Sequence, residues 1–243
     1  MRILLTISYD GTDFCGYQVQ VDKRTVQLEL ETALKAVTGK DIKTVASGRT
    51  DSGVHATNQK VHFDYQGTIP VKSFVNALNS VLPSDIRVIN SKKVANDFSA
   101  RYSAKKKTYL YRCYISKVEN PLNSRYALTL KTAPNLNKIK ECIDVLVGTH
   151  DFKCFLASGS SVKDTVRTIY EIKVKKSGKN LDFYVTGNGF LYNMVRIIVG
   201  TLLAVSENRL SLESVKKALL TGERKLVGKT MPAKALCLYK VKY

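Results

Sequence analysis

The chain has little of what most catalytic centres are built from. It has no tryptophan, only three histidines (His55, His62, His150) and five scattered cysteines with no Cys-x-x-Cys pair. So sparse a set of soft ligands draws no zinc site, and an odd, dispersed cysteine count points to reduced thiols, most of them core or half-buried, rather than a disulfide framework. Long apolar runs are absent as well. The strongest candidate, Met194 to Val205, is broken by Arg196, Gly200 and Thr201, so no membrane-spanning helix is expected. The opening MRILLTISYDGT alternates like a strand and carries no signal-peptide cleavage pattern, so a cytoplasmic location is expected.

Acidic residues are also scarce. Asp and Glu number 20 against 39 Lys and Arg, a formal net charge of +19 in 243 residues. A compact protein at that charge repels itself, which favours a polyanionic partner, nucleic acid before an anionic membrane. At 44% hydrophobic and 24% charged residues the composition is otherwise that of a folded globular protein.

Periodicity divides the chain into two α/β halves, 1–104 and 105–243, joined by the basic run Ala104 to Lys107. Ile3, Leu5, Ile7 and Tyr9 alternate as a strand. Thr25 caps a helix with Val26, Leu30, Ala33, Leu34 and Val37 on one face, ended by Gly39. Asp41 to Ser47 predicts a second strand, Val61 to Tyr65 a third, Pro70 the start of a second helix, and Ile86 onward a fourth strand. The second half predicts strands at Thr108 to Ile115, Val166 to Lys175 and Leu181 to Thr186. It also predicts helices at Leu136 to Val147, Leu191 to Val205 and Leu212 to Leu220, and a terminal strand at Leu236 to Lys242. Each half reads as close to a ferredoxin-like β-α-β-β-α-β unit. The long loops Ser116 to Asn135 and Ser158 to Asp164 are expected to touch substrate.

Two nucleotide-binding patterns fail. GERKLVGKT (222–230) needs glycine at 223, where Glu223 stands, and it follows a helix rather than a strand. GNGFLY (187–192) lacks the third glycine of a dinucleotide fingerprint. The segment GRTDSGVHA (48–56) is different: a turn between strands, with glycines at both shoulders, that sets a carboxylate beside an arginine. Taken alone, it suits an Asp51 that caps its own backbone. In so basic a chain, an acid on a nucleic-acid surface would repel phosphates and calls for another reason.

GRTDSGVHA resembles the signature of the tRNA pseudouridine synthase A family, and the likeness continues along the chain. Tyr9-Asp10-Gly11-Thr12 with Phe14, Gly16 and Gln18 is similar to that family's opening, with Tyr17 where tryptophan is usual. Phe98-Ser99-Ala100-Arg101-Tyr102-Ser103-Ala104 followed by Tyr109 and Tyr111, then Asp151-Phe152, Val166-Arg167-Thr168-Ile169 and Gly189-Phe190-Leu191-Tyr192-Asn193-Met194-Val195-Arg196, resemble its later motifs. The chain departs from the pattern at Met231 and Ala235, where alanine and glycine are more usual.

The resemblance implies an α/β fold whose mainly antiparallel sheets form one extended sheet, with an active-site cleft between the halves. It implies an isomerase that converts uridine to pseudouridine in the tRNA anticodon stem-loop, at positions 38, 39 and 40. A homodimer acting without metal or other cofactor is implied too. Asp51 becomes the nucleophile, Arg196 its ionic partner and Tyr109 the residue against the uracil ring. Arg49 props the space left by the flipped base, Leu236 forms an apolar wall, and Arg101 with Lys105 to Lys107 meets phosphate. His55 reads as a structural turn residue, and Tyr111 as core. The rival class is a non-catalytic RNA-binding protein built from two ferredoxin-like modules, which would have no need of an acid at position 51.

Overall fold

The computed structural model describes residues 1–160 and 162–243. The contacts within the chain divide it into two units, residues 1–105 with 237–243, and residues 106–236. The terminal strand, expected in the second half, therefore belongs to the first. Position 161, inside a loop expected to touch substrate, lies outside the described residues.

The first unit runs β1 (Arg2–Tyr9), α1 (Val26–Thr38), β2 (Val45–Ala46), β3 (His55–Asp64), α2 (Phe74–Asn79) and β4 (Ile86–Val94). Strand β1 lies between β4 and β3, antiparallel to both, and β2 pairs antiparallel with β3. This is the β4-β1-β3-β2 order of a ferredoxin-like unit. Ile3, Leu5 and Ile7 of β1 are fully buried, as are Val26, Leu30 and Leu34 of α1 and Phe74 and Leu78 of α2. Phe74 meets Phe63 of β3 edge-on at 5.5 Å between ring centres. Helix α1 starts and stops where its residues dictate. The Thr25 side chain accepts from Leu28 N–H, and Gly39 turns left-handed (φ 70°) so that its N–H closes on Lys35 O.

Strand β2 is shorter than the expected Asp41 to Ser47. Ile42 and Thr44 are buried in alternation, but Thr44 N–H donates to the Glu31 carboxylate at 2.9 Å instead of to a neighbouring strand. Pro70 opens a short 3₁₀ turn at Val71–Ser73 before α2 begins. The last strand, β10 (Leu236–Lys242), lies parallel to β3 at Cys237 and Leu238. The side of β3 away from β1 is thus shared, His55 and Ala56 pairing with β10 and Val61 and His62 with β2.

The second unit comprises β5 (Lys106–Ile115), α3 (Pro121–Ser124), β6 (Leu128–Leu130), α4 (Leu136–Leu146), β7 (Gly148–Asp151), β8 (Val166–Ser177), β9 (Asn180–Gly187), α5 (Met194–Ser206) and α6 (Leu212–Thr221). Its strands follow the order β6-β5-β9-β8-β7, antiparallel except for β6 on β5. The unit begins strand–helix–strand like the first. It then varies that order: α4 follows β6 where the first unit has a strand, and Gly178 (φ 56°) later folds β8 straight back into β9 as a hairpin. Leu181, Phe183 and Val185 of β9 and Cys142 and Leu146 of α4 are fully buried. In α5 every residue except Arg196 is buried, the mark of a helix at the centre of a core.

Cys113, Cys142 and Cys154 are buried, and Cys15 and Cys237 half-buried. Burial pushes the Cys142 and Cys154 thiols up to about 12, so neither supplies a thiolate near neutral pH. No described helix is long and apolar enough to cross a membrane.

Candidate active site

The acid singled out by sequence sits in a turn built from both ends. Asp51 is half-buried between β2 and β3, with Arg49 exposed two residues before it. The Thr50 hydroxyl lies 2.8 Å from the hydroxyl of Tyr9, both buried, and Thr50 O accepts from Tyr17 N–H at 3.0 Å. After the acid, Ser52 Oγ donates to Phe14 O at 3.1 Å, and Val54 N–H closes on Asp51 O at 3.1 Å. The residue before the carboxylate and the residue after it are therefore fixed to one segment, Tyr9 to Tyr17.

That segment comes close enough to require glycine. A side chain at Gly11 would put its first carbon 2.1 Å from Val54 O, and one at Gly16 (φ 90°) 2.9 Å from Thr50 O. The segment is itself anchored. Arg24 makes paired bonds to Asp85 at 2.8 and 3.0 Å and one to Glu29 at 2.9 Å, with its guanidinium 4.1 Å from the Phe14 ring centre. Behind the turn, Gln59 donates to Gly48 O at 2.8 Å and accepts from Ser47 Oγ at 2.6 Å. His55 Nδ1 accepts from Gly11 N–H at 3.0 Å, as suits the turn residue expected from sequence. The opening motif thus forms the bed of the GRTDSGVHA turn, a relation that sequence reading did not draw.

Arg101 is exposed, in a tight turn after β4, and stands 5.3 Å from the ring centre of Tyr102, which is 81% exposed. On the first unit's sheet, Lys60 Nζ donates to Thr6 Oγ1 at 2.6 Å. Burial first, and then the charge of Lys92, holds the Lys60 ammonium below the usual lysine range.

In the second unit Tyr109 and Tyr111 share a face of β5, as their spacing requires, but differ in surroundings. Tyr111 is fully buried and its hydroxyl donates to Pro232 O at 3.0 Å; burial pushes its ionisation up. It is a core aromatic. Tyr109 is half-buried and its ring stands edge-on to Phe190 at 5.3 Å. Arg196 lies in the first turn of α5, with Nε donating to Met231 O at 2.6 Å and Nη1 to Asn193 Oδ1. Adjacent carbonyls of the Met231–Pro232 segment thus hold Arg196 and Tyr111. Leu236 is buried at the end of a short 3₁₀ turn, Ala233–Ala235. A cavity of about 310 Å³ is lined by Arg112, Cys113 and Asp182 together with Tyr126 of the 116–135 stretch, and contains none of the individual residues that the resemblance assigns to the site. Among the described residues no group of three or more His, Cys, Asp or Glu is placed to hold a metal ion.

Chemically, the turn presents a carboxylate on a backbone with little freedom, and the second unit presents an aromatic ring and an oriented guanidinium. Those are the parts needed for nucleophilic attack, base contact and charge compensation.

Known proteins resemble the chain along nearly its whole length. The family model described as tRNA pseudouridine synthase matches residues 5–103 and 143–243. A tRNA pseudouridine synthase A of Bacillus pumilus is 44% identical over 245 residues, spanning 100% of this chain and 99% of that protein. The proteins of that name in Shouchella clausii and Halalkalibacterium halodurans are 46% and 47% identical, over 100% and 97% of this chain and 93% and 90% of their own. The likeness runs through the acid-bearing turn, its bed and the start of α5 alike, and on that ground the chain belongs to the tRNA pseudouridine synthase family.

Proposed function

We propose that this protein isomerises uridine to pseudouridine in the anticodon stem-loop of tRNA, at positions 38, 39 and 40, with Asp51 as the nucleophile. The observation that carries the reading is the construction of the turn: the residues on both sides of Asp51 are bonded to one segment, Tyr9 to Tyr17, so the carboxylate is delivered rather than left to sample solvent.

The reaction breaks the N1–C1′ bond of uridine, turns the uracil, and forms a C5–C1′ bond. C5 loses its proton and N1 gains one, so no oxidant, metal or energy donor is consumed. The Asp51 carboxylate starts the sequence by attack at C1′ or at ring C6. It must stay ionised away from water, which desolvation opposes, and the Arg196 guanidinium offsets that penalty. Tyr109 packs against the base and takes part in the transfer of the C5 proton. A stacked uridine must be turned out of the stem first, and Arg49 fills the vacated space. Leu236 walls the pocket. Arg101 and Lys105 to Lys107 hold phosphates, positioning the RNA without reading its bases.

On this reading the protein acts in the cytoplasm as a homodimer and needs neither metal nor nucleotide cofactor. Sedimentation tests the dimer, and reaction in the presence of chelator tests the metal.

The deciding assay is tritium release from C5-labelled uridine in tRNA. Wild-type protein releases it, and Asp51→Ala abolishes release while binding tRNA with little change in Kd. Turnover by Asp51→Ala would overturn the assignment of the nucleophile. Binding without turnover in the wild type would favour the non-catalytic RNA-binding alternative.

A further inference from the structure

We propose that Asn193 is a positioning residue for Arg196, holding the guanidinium in the orientation the reaction uses; the inference rests on the reading of Arg196 given above. Asn193 occupies the N-cap of α5 but does not behave as a cap. Capping residues have extended backbone and turn a side-chain oxygen onto an N–H of the first turn. Asn193 instead has left-handed backbone, φ 61° and ψ 5°, and its side chain makes no capping bond. Its Oδ1 accepts from Arg196 Nη1, while its backbone O accepts Ile197 N–H at 3.0 Å and so still begins the helix.

The left-handed region carries a strain on the order of 1 kcal/mol for a residue with a side chain, and glycine adopts it freely. Glycine would therefore suit this backbone better than asparagine. What glycine lacks is the acceptor.

The opposite side of the guanidinium is held as firmly. Arg196 Nε donates to Met231 O at 2.6 Å, and Met231 N–H returns a longer bond, 3.4 Å, to Arg196 O. That carbonyl is placed by residues 228–231, which lie against α5 only because two side chains are missing. A first carbon on Gly200 would stand 2.0 Å from Lys229 O, and one on Gly228 would stand 2.3 Å from the Gly200 carbonyl carbon. Gly228 N–H also donates to Thr201 Oγ1 at 2.9 Å, in a buried setting. Two donors of the planar fork thus meet acceptors that come from segments 38 residues apart, 231 against 193. A guanidinium gripped at two nitrogens has its plane set before substrate arrives. Met231 takes part through its backbone, so its departure from the usual residue leaves the carbonyl in place.

The test is single-turnover tritium release with Asn193→Gly, which keeps the backbone and removes the acceptor. It is measured alone and in an Arg196→Lys background, alongside tRNA Kd and thermal unfolding. We expect Asn193→Gly to lower the single-turnover rate about 10- to 100-fold with Kd and Tm held or Tm raised. In the Arg196→Lys background, already slow, the same change should cost less than about 3-fold, because its effect passes through the missing guanidinium. An unchanged rate for Asn193→Gly beside a slow Arg196→Lys overturns the inference and leaves the reading of Arg196 standing. Equal losses in both backgrounds also overturn it, since they mark a structural role. A full rate for Arg196→Lys removes the role of Arg196, and the inference falls with it.

Discussion

The hydroxyl of Tyr9 lies 2.8 Å from that of Thr50, the residue directly before Asp51, and both are shut away from solvent. Forty-one positions separate them in sequence. The pair ties the end of β1 to the turn that carries the acid, so the opening strand and the proposed nucleophile move as one body.

Tyr9→Phe should therefore do more than lower stability. Loss of one partner of a buried hydroxyl pair costs about 1–3 kcal/mol, and the turn loses its fixed point beside the carboxylate. We expect kcat for tritium release to fall while KM for tRNA changes little. A wild-type kcat in a destabilised Tyr9→Phe protein would show that the bond serves the fold alone.

Alanine at either glycine of the bed should be worse tolerated. At Gly11 the added carbon would meet a backbone oxygen at 2.1 Å, and at Gly16 it would meet one at 2.9 Å from a left-handed backbone. Either forces the turn away from its bed, with a loss on the order of 2 kcal/mol or more and a fall in activity. Urea unfolding read beside tritium release checks both, and Gly11→Ala should be the more severe. Wild-type stability and rate in Gly11→Ala would contradict the close approach.

Tyr109→Phe separates the ring from its hydroxyl. The phenyl group keeps the edge-on contact with Phe190 at 5.3 Å, so folding and tRNA binding should hold. If the hydroxyl handles the C5 proton, turnover falls about 10²- to 10⁴-fold. Tyr109→Phe with near wild-type turnover, beside an inactive Tyr109→Ala, would confine the residue to packing against the base.

The first unit should lose stability in mild acid through His62. Its ring accepts from Ala100 N–H at 3.0 Å in a buried position, and burial first, then the charge of Arg2, lowers its proton affinity below the ordinary 6.5. Above the unfolded value neither state holds the proton and no stability is lost. As pH falls below about 6.5 the unfolded chain takes up the proton first, so stability declines until the folded ring also titrates. His62→Asn keeps an acceptor for Ala100 and removes the titration. The decline in Tm between pH 7.5 and 5 should be shallower in the variant; equal slopes would exclude His62 as a source.

What could be read from sequence and what could not divide along a physical line. Local signals were sufficient for α1, because Thr25 and Gly39 act within a few residues, and for the longer strands, where side chains alternate, but not for the short strands β6 and β7, of which β6 lies in the stretch read as a loop. The acid, its neighbouring arginine and the motif at 189–196 were legible as residues in a pattern. Extents decided by remote partners were not. Thr44 gives its N–H to Glu31 rather than to a strand, which cuts β2 to two residues. Helix α5 begins at Met194 rather than Leu191 because Asn193 turns left-handed. The support beneath Asp51 and the grip on Arg196 rest on bonds spanning 41 and 35 positions, and no window of sequence contains both ends of either.

The sharing of β3 between β2 and β10 has a consequence for biosynthesis. Residues 237–243 leave the ribosome only after all of 106–236, yet they complete the sheet to which residues 1–105 belong. The portion made first is finished last. Until then His55 and Ala56, just past the acid-bearing turn, expose backbone groups that another strand could capture. A chain halted at Leu236 should consequently show faster proteolytic cleavage around 48–58 than the whole protein, and equal cleavage would mean that the turn forms without its closing strand.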